Sequence, residues 1–224
     1  MNIPLGQVRN ALLYLIAFIV SVSVHEFGHA WMATQLGDPT PRAQGRLTLS
    51  PMAHAHWLGT IVLPLVGALM PGVPLIAWGK PVQTNPGSYS TRRFSRTTGH
   101  MLVALAGPAM NLVLAIVVSL VFVTLAKTNL LSPALAEALV RYVLALNLVL
   151  MFFNLLPLAP LDGAAVLAGI LPASMREVSA FLQRYGMFIL FGLLMIPGAM
   201  DIVLAPAQRL IRAWVGVLAG FVVS

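Results

Sequence analysis

The sequence predicts an all-α polytopic membrane protein: a transmembrane helix bundle with one re-entrant segment broken by proline and glycine. Three observations predict it. Hydrophobic residues make up 59% of the 224 and charged residues 8%, where a soluble domain carries about 25% charged residues. The apolar residues gather in uncharged runs at 58–79, 101–126, 142–161 and 185–200, and a bilayer-crossing helix needs about 20 mostly apolar residues. One run, 58–79, holds Pro64, Gly67, Pro71, Gly72 and Pro74. A straight helix through all of these is disfavoured, since an internal proline costs about 3 kcal/mol.

The elements follow in order. A first helix is expected over 8–36. Arg9 precedes its apolar run, and Ser21-Val22-Ser23 has the small residues of a signal-peptide cleavage site. The run continues into a polar motif instead of ending, which favours a retained helix. Gly37-Asp38-Pro39 supplies the stop, glycine at the C-cap and proline beyond it. In the polar stretch 40–56, alternation over 45–50 reads as a short strand. The returning arm of the re-entrant segment, 73–82, would complete a small β-hairpin or sheet. A basic loop follows at 80–99, then a clean span at 101–126, a turn at 132–137 and a second span at 141–156. That span ends in Pro157-Leu158-Ala159-Pro160-Leu161-Asp162-Gly163, and a polar connection over 172–184 leads to a span near 185–200. The fate of the shorter tail at 213–223, span or interfacial helix, stays open. The length fits a single domain, 1–224, with its motifs within 10–170 and an apolar C-terminal region at 185–224.

The net charge of +7 and the pI near 10.9 raise the question of nucleic acid. The basic residues cluster in loops between apolar runs, at Arg42 and Arg46 and at Lys80, Arg92, Arg93 and Arg96. The positive-inside bias explains that without a nucleic-acid partner. The chain has no cysteine, which excludes disulfides, iron–sulfur clusters and thiolate ligands. Any bound metal must be held by His, Asp or Glu.

His25-Glu26-Phe27-Gly28-His29 carries the chemistry. Residues four apart on a helix share a face, so the two imidazoles can bind one zinc ion at about 2.0–2.1 Å. Glu26, beside the first ligand, can reach a water there without occupying the metal. This is the HExxH arrangement of two ligands and a general base. The plain alternative is a polar helix face lining a cavity. Membrane depth favours the metal, because an acidic residue at the centre of a spanning helix costs roughly 2.5–3.5 kcal/mol and is functional by default. Two of the six acidic residues, Glu26 and Asp162, lie within or beside apolar runs. His₂ plus one carboxylate is a known catalytic zinc set, which makes Asp162 the candidate third ligand. Asp162 could equally cap a helix starting at Gly163, and spacing alone leaves both readings open.

Topology adds a constraint. HEFGH lies near the C-terminal end of the first helix, and Asp162 follows the C-terminal end of the 141–156 span. Ligands of one metal share one depth. If 58–79 crossed the membrane, three spans would separate the two sites and set them on opposite faces. If it enters and returns, two spans separate them and the ligands meet. The re-entrant reading also puts both basic loops on one side, which positive-inside statistics make cytoplasmic.

These residues resemble the site-2 proteases, intramembrane zinc metallopeptidases of family M50, and most of all their small bacterial members without PDZ or CBS domains. The resemblance rests on HEFGH, on Gly107-Pro108-Ala109-Met110-Asn111, and on 154–163. The segments 45–51 and Trp78-Gly79-Lys80-Pro81-Val82 also look like that subgroup's loop motifs. It implies a bacterial inner-membrane enzyme holding one zinc ion by His25, His29 and Asp162, with Glu26 as catalytic base and a transmembrane protein as substrate, as in regulated intramembrane proteolysis. It places Asn111 and Asn154 near the substrate or the metal, although either could simply satisfy a buried backbone group. One departure is His54-Ala55-His56, where related sequences are expected to carry a single His followed by an acidic residue. His54 is a candidate for the site, or a solvated loop histidine. The rival classes are a metal or proton transporter, which wants a second polar cluster across the bilayer, and a catalytically silent binder, which has no use for Glu26.

Overall fold

The computed structural model describes residues 4–70 and 77–223. Its principal helices are α1 (Leu5–Gln35), α2 (Trp57–Leu69), α3 (Arg96–Lys127), α4 (Pro133–Asn154), α5 (Asp162–Ile170), α6 (Arg176–Met195) and α7 (Ala205–Val223). Helices α1, α3, α4 and α6 are long and apolar enough to cross a membrane. Helical backbone satisfies its own hydrogen bonds, the condition for spanning hydrocarbon. The C-terminal tail is helical, but α7 is not among these four.

Helix α1 is the most enclosed span, with 50% of its apolar window buried against 11% for α6. It crosses α3 closely at Gly28, where a Cβ would lie 2.5 Å from the Ala106 carbonyl oxygen. On the far side from HEFGH, a cluster of Ala115, Val118, Phe122, Leu144, Leu148 and Leu218 joins α3, α4 and α7. There Trp214 Nε1 donates to Ser119 Oγ at 3.0 Å. The outward faces carry Val117, Leu120 and Val121 on α3 and Phe181, Phe188 and Phe191 on α6, apolar surface suited to lipid.

The stop after α1 forms as expected. Gly37 takes φ +98°, and Asp38, buried, accepts from Thr40 N at 2.9 Å and Asn85 N at 2.6 Å. Helix α2 enters the bundle and the chain comes back: Trp78 N donates to Gly59 O at 3.0 Å, so both arms meet at one depth. Residues 71–76, and with them the first four positions of the expected returning strand at 73–82, lie outside the described residues. The wide, π-type first turn of α2, Trp57–Val62, precedes Pro64, which has no N–H to return to it.

The expected β-hairpin is corrected. No strand occurs among the described residues, at 45–50 or at 77–82. In the first segment Gly45 turns the chain at φ +66°, Arg46 N bonds back to Pro41 O, and the Thr48 carbonyl accepts from His54 Nε2 at 2.8 Å. The second segment is extended but meets no second strand. Trp78 N, Lys80 N and Val82 N donate in alternation to Gly59 O, His54 O and Glu26 Oε2. Thr60 Oγ1 and Arg46 Nη1 donate to the carbonyls of Trp78 and Lys80. Partners from four separate places satisfy the inner edge, so no ladder forms.

Candidate metal centre

His25 and His29 lie 10 and 6 residues before the end of α1 at Gln35, which is about 15 and 9 Å along the axis at 1.5 Å per residue. Both are buried. Their Nε2 atoms face each other at 3.0 Å. Asp162 Oδ2 lies 3.2 Å from His25 Nε2, and Oδ1 lies 3.4 Å from His29 Nε2. Asp162 does not cap α5: the N-cap is Leu161, and no side chain caps the helix. The carboxylate turns to the imidazoles instead.

Helix α3 holds the rings from behind. His29 Nδ1 bonds to the Val103 carbonyl at 2.8 Å, in the stretch that Pro108 loosens by withholding an N–H from the Ala104 carbonyl. A carbonyl only accepts, so His29 carries its proton on Nδ1. His25 Nδ1 meets Asn111 Oδ1 at 2.7 Å. Gly107 lets α3 pass this close, since a Cβ there would fall 2.4 Å from His29 Nε2. The motif Gly107–Asn111 is thus a backing plate for the two histidines.

With the Nδ1 protons directed outward, both Nε2 atoms turn lone pairs towards each other and towards a carboxylate. Three such donors at 3.0–3.4 Å repel unless a metal ion or a proton lies among them. Nitrogen and oxygen ligands at zinc bond lengths in a tetrahedron stand about 3.3 Å apart, so this donor set fits zinc. Asp162 Oδ2 is also buried without a hydrogen bond, as a ligand oxygen would be.

Glu26, His25, His29, Asp162 and Asn154 line one open cavity of about 710 Å³ with Trp78, Gly79, Pro81 and Val82. Glu26 Oε2 accepts from Val82 N at 2.8 Å. Asn154 also donates to Leu150 O in its own helix. His54 is fully buried but does not line the cavity; its Nε2 holds the Thr48 carbonyl. Sequence reasoning missed Asn147, which is fully buried and donates to Val143 O and Ser21 Oγ while accepting from Asn111 Nδ2. Its signal was an amide inside an apolar run, seven residues before Asn154. The Val82 N–H and Val103 carbonyl gave no signal, being backbone.

A helical membrane protein that sets two histidines, an aspartate and a glutamate into one apolar cavity belongs to the class of membrane-embedded metallohydrolases. The profile of peptidase family M50 matches residues 13–138 and 130–197. YwhC of Bacillus subtilis, provisionally named a zinc metalloprotease, is 34% identical over 190 residues, 82% of this chain and 80% of that one. Rip2 of Mycobacterium tuberculosis, named likewise, is 31% identical over 199 residues, 87% of this chain and 71% of the relative. Rip2 of Mycolicibacterium smegmatis is 31% identical over 196 residues, again 87% and 71%. No solved structure matches the chain. The chain belongs to peptidase family M50. It is a multi-pass intramembrane zinc metalloprotease.

Proposed function

We propose that His25, His29 and Asp162 hold the zinc ion and that Glu26 is the general base for hydrolysis of a peptide bond in a transmembrane protein. The observation that carries this is the pairing of both Nδ1 atoms with acceptor oxygens on α3, which leaves the two Nε2 atoms and the Asp162 carboxylate converging beside a buried glutamate. Zinc, when bound, supplies Lewis-acid polarisation of a carbonyl and lowers the pKa of water. Glu26 takes the proton of the attacking water and returns it to the leaving amine. Val82 N–H orients the carboxylate through one oxygen and leaves the other for that exchange. Among the described residues one metal-competent group of three occurs, which argues against a transporter's chain of sites.

A helical substrate must unwind before its peptide bonds are exposed. The segment 78–82 has its inner edge occupied, and the segment lines the cavity through Trp78, Gly79, Pro81 and Val82. An extended substrate strand can pair there by β-augmentation. The basic loops at 40–56 and 80–99 flank this end of the molecule, so the positive-inside bias sets the site towards the cytoplasm.

The test compares purified wild type with Glu26→Gln on a transmembrane substrate, with zinc measured in both. The expected result is unchanged zinc and cleavage lower by about 10²–10⁴-fold. Equal cleavage by the two proteins overturns the assignment.

A further inference from the structure

A buried chain of amides runs away from the metal site, and each link fixes the next. The Val143 carbonyl only accepts, so Asn147 presents Nδ2 to it at 2.8 Å. Asn147 Nδ2 also reaches Ser21 Oγ at 2.9 Å, whose own hydrogen is spent on Ala17 O at 2.7 Å. With its nitrogen so committed, Asn147 must turn Oδ1 towards Asn111, whose Nδ2 donates to it at 2.8 Å. Asn111 also donates, at 3.3 Å, to the Ser21 carbonyl. Asn111 is then left with Oδ1 facing His25 Nδ1 at 2.7 Å. An amide oxygen accepts only, so His25 carries its proton on Nδ1 and offers a lone pair at Nε2. Asn111 and Asn147 are both fully buried, so no water competes for these bonds.

We propose that Asn147 is a positioning residue for zinc binding. It sets the orientation of the Asn111 amide, and through it the tautomer of His25, without touching the metal or the substrate. The two histidines are thereby fixed by different means. His29 has a backbone carbonyl, which cannot flip; His25 has a side-chain amide, which can. An amide with its ends exchanged would present N–H to His25 Nδ1 and drive the proton to Nε2, the wrong nitrogen for a ligand. Asn147 opposes that exchange through the shorter of the two bonds from Asn111 Nδ2, 2.8 Å against 3.3 Å to the Ser21 carbonyl. Outer partners of ligating histidines typically contribute 10–100-fold in metal affinity.

The proposal rests on His25 being a ligand, and the experiment separates the two claims. Zinc affinity of the full-length protein in detergent is measured by chelator competition for wild type, His25→Ala, Asn111→Leu, Asn147→Leu and the double variant Asn111→Leu/Asn147→Leu. Asn147→Leu is expected to bind zinc about 10–100-fold more weakly. The double variant is expected to be no weaker than Asn111→Leu alone, because Asn147 acts only through Asn111. Trp214→Phe, which breaks the part-buried bond to Ser119 at the other end of the bundle, serves as the structural control. It should lower thermal stability and leave zinc affinity as in wild type. Should Asn147→Leu fail to fold, Asn147→Ser replaces it. That hydroxyl can back-bond to Val143 O, as Ser21 does to Ala17 O, but is too short to replace the amide's link to Asn111. Wild-type zinc affinity in the folded Asn147 variant, or losses that add in the double variant, overturn the relay. Wild-type affinity in His25→Ala overturns the ligand assignment instead.

Discussion

The Nε2 atoms of His25 and His29 stand 3.0 Å apart with both Nδ1 atoms already engaged by α3. Two lone pairs at that distance in an apolar cavity form a preorganised cation site and a local destabilisation when empty. Binding to the folded state alone stabilises by mass action, about 2.7 kcal/mol at a zinc concentration 100-fold above Kd. Chelation should therefore lower the thermal midpoint of the detergent-solubilised protein, and added zinc should restore it. In a His25→Ala/Asp162→Ala variant the midpoint should no longer respond to zinc. A wild-type response in that variant would place the metal elsewhere.

Gly107 and Gly192 make a sharper contrast. A Cβ at Gly107 would lie 2.4 Å from His29 Nε2 and 2.7 Å from His25 Cε1, whereas at Gly192 no atom lies within 4 Å. The rings cannot swing aside without breaking their Nδ1 bonds. Gly107→Ala should thus lose most zinc while circular dichroism still reports a helical protein. Gly192→Ala, in the interior of α6, should keep its zinc and gain up to about 1 kcal/mol from helix propensity.

Asp38 ties two loops near the cavity, accepting from Thr40 N and Asn85 N while almost wholly buried. Asp38→Ala leaves both donors without their acceptor, at about 1–3 kcal/mol for each one that water cannot reach. The expected signature is a lower thermal midpoint with zinc content unchanged at saturating metal. Loss of zinc in a folded Asp38→Ala protein would show that this loop pair also shapes the ligand set.

The parts of the site that were legible in the sequence are those set by local geometry or by membrane depth. His25 and His29 share a face because they are four apart, and the same rule puts Ser21 beneath them. Asp162 became a candidate because it is an acidic residue beside an apolar run and His₂ plus one carboxylate is a known zinc set; one shared depth then asked for two spans between the sites, not three. Whether it capped α5 or faced the histidines needed the tertiary structure, where Leu161 takes the cap position. The strand expected at 45–50 failed for a related reason. Period-2 alternation signals a strand only where a partner exists, and here the turn at Gly45 and the His54 side chain take the hydrogen bonds. His54 itself could not be placed from a loop sequence. The role of Asn147 was not legible because it lies in contacts with Asn111 and Ser21 from two other helices, 36 and 126 residues away.

The outer edge of 78–82 yields the last prediction. Trp78, Lys80 and Val82 point their N–H groups inward, so alternation in an extended chain turns Gly79, Pro81 and Gln83 outward. Pro81 has no N–H, which leaves Gly79 and Gln83 as the donors an extended substrate can meet. Gln83→Pro removes one of them. The extended backbone ahead of it is the conformation a following proline requires, so the segment should keep its path. Gln83→Ala is the control: it keeps the N–H and loses only the exposed side-chain bond from Gln44. One hydrogen bond contributes about 0.5–1.5 kcal/mol, so Gln83→Pro should cleave a transmembrane substrate roughly 2- to 12-fold more slowly than Gln83→Ala, with equal zinc in both. Equal cleavage rates would remove this edge from the substrate path and leave Glu26 and the metal ligands unaffected.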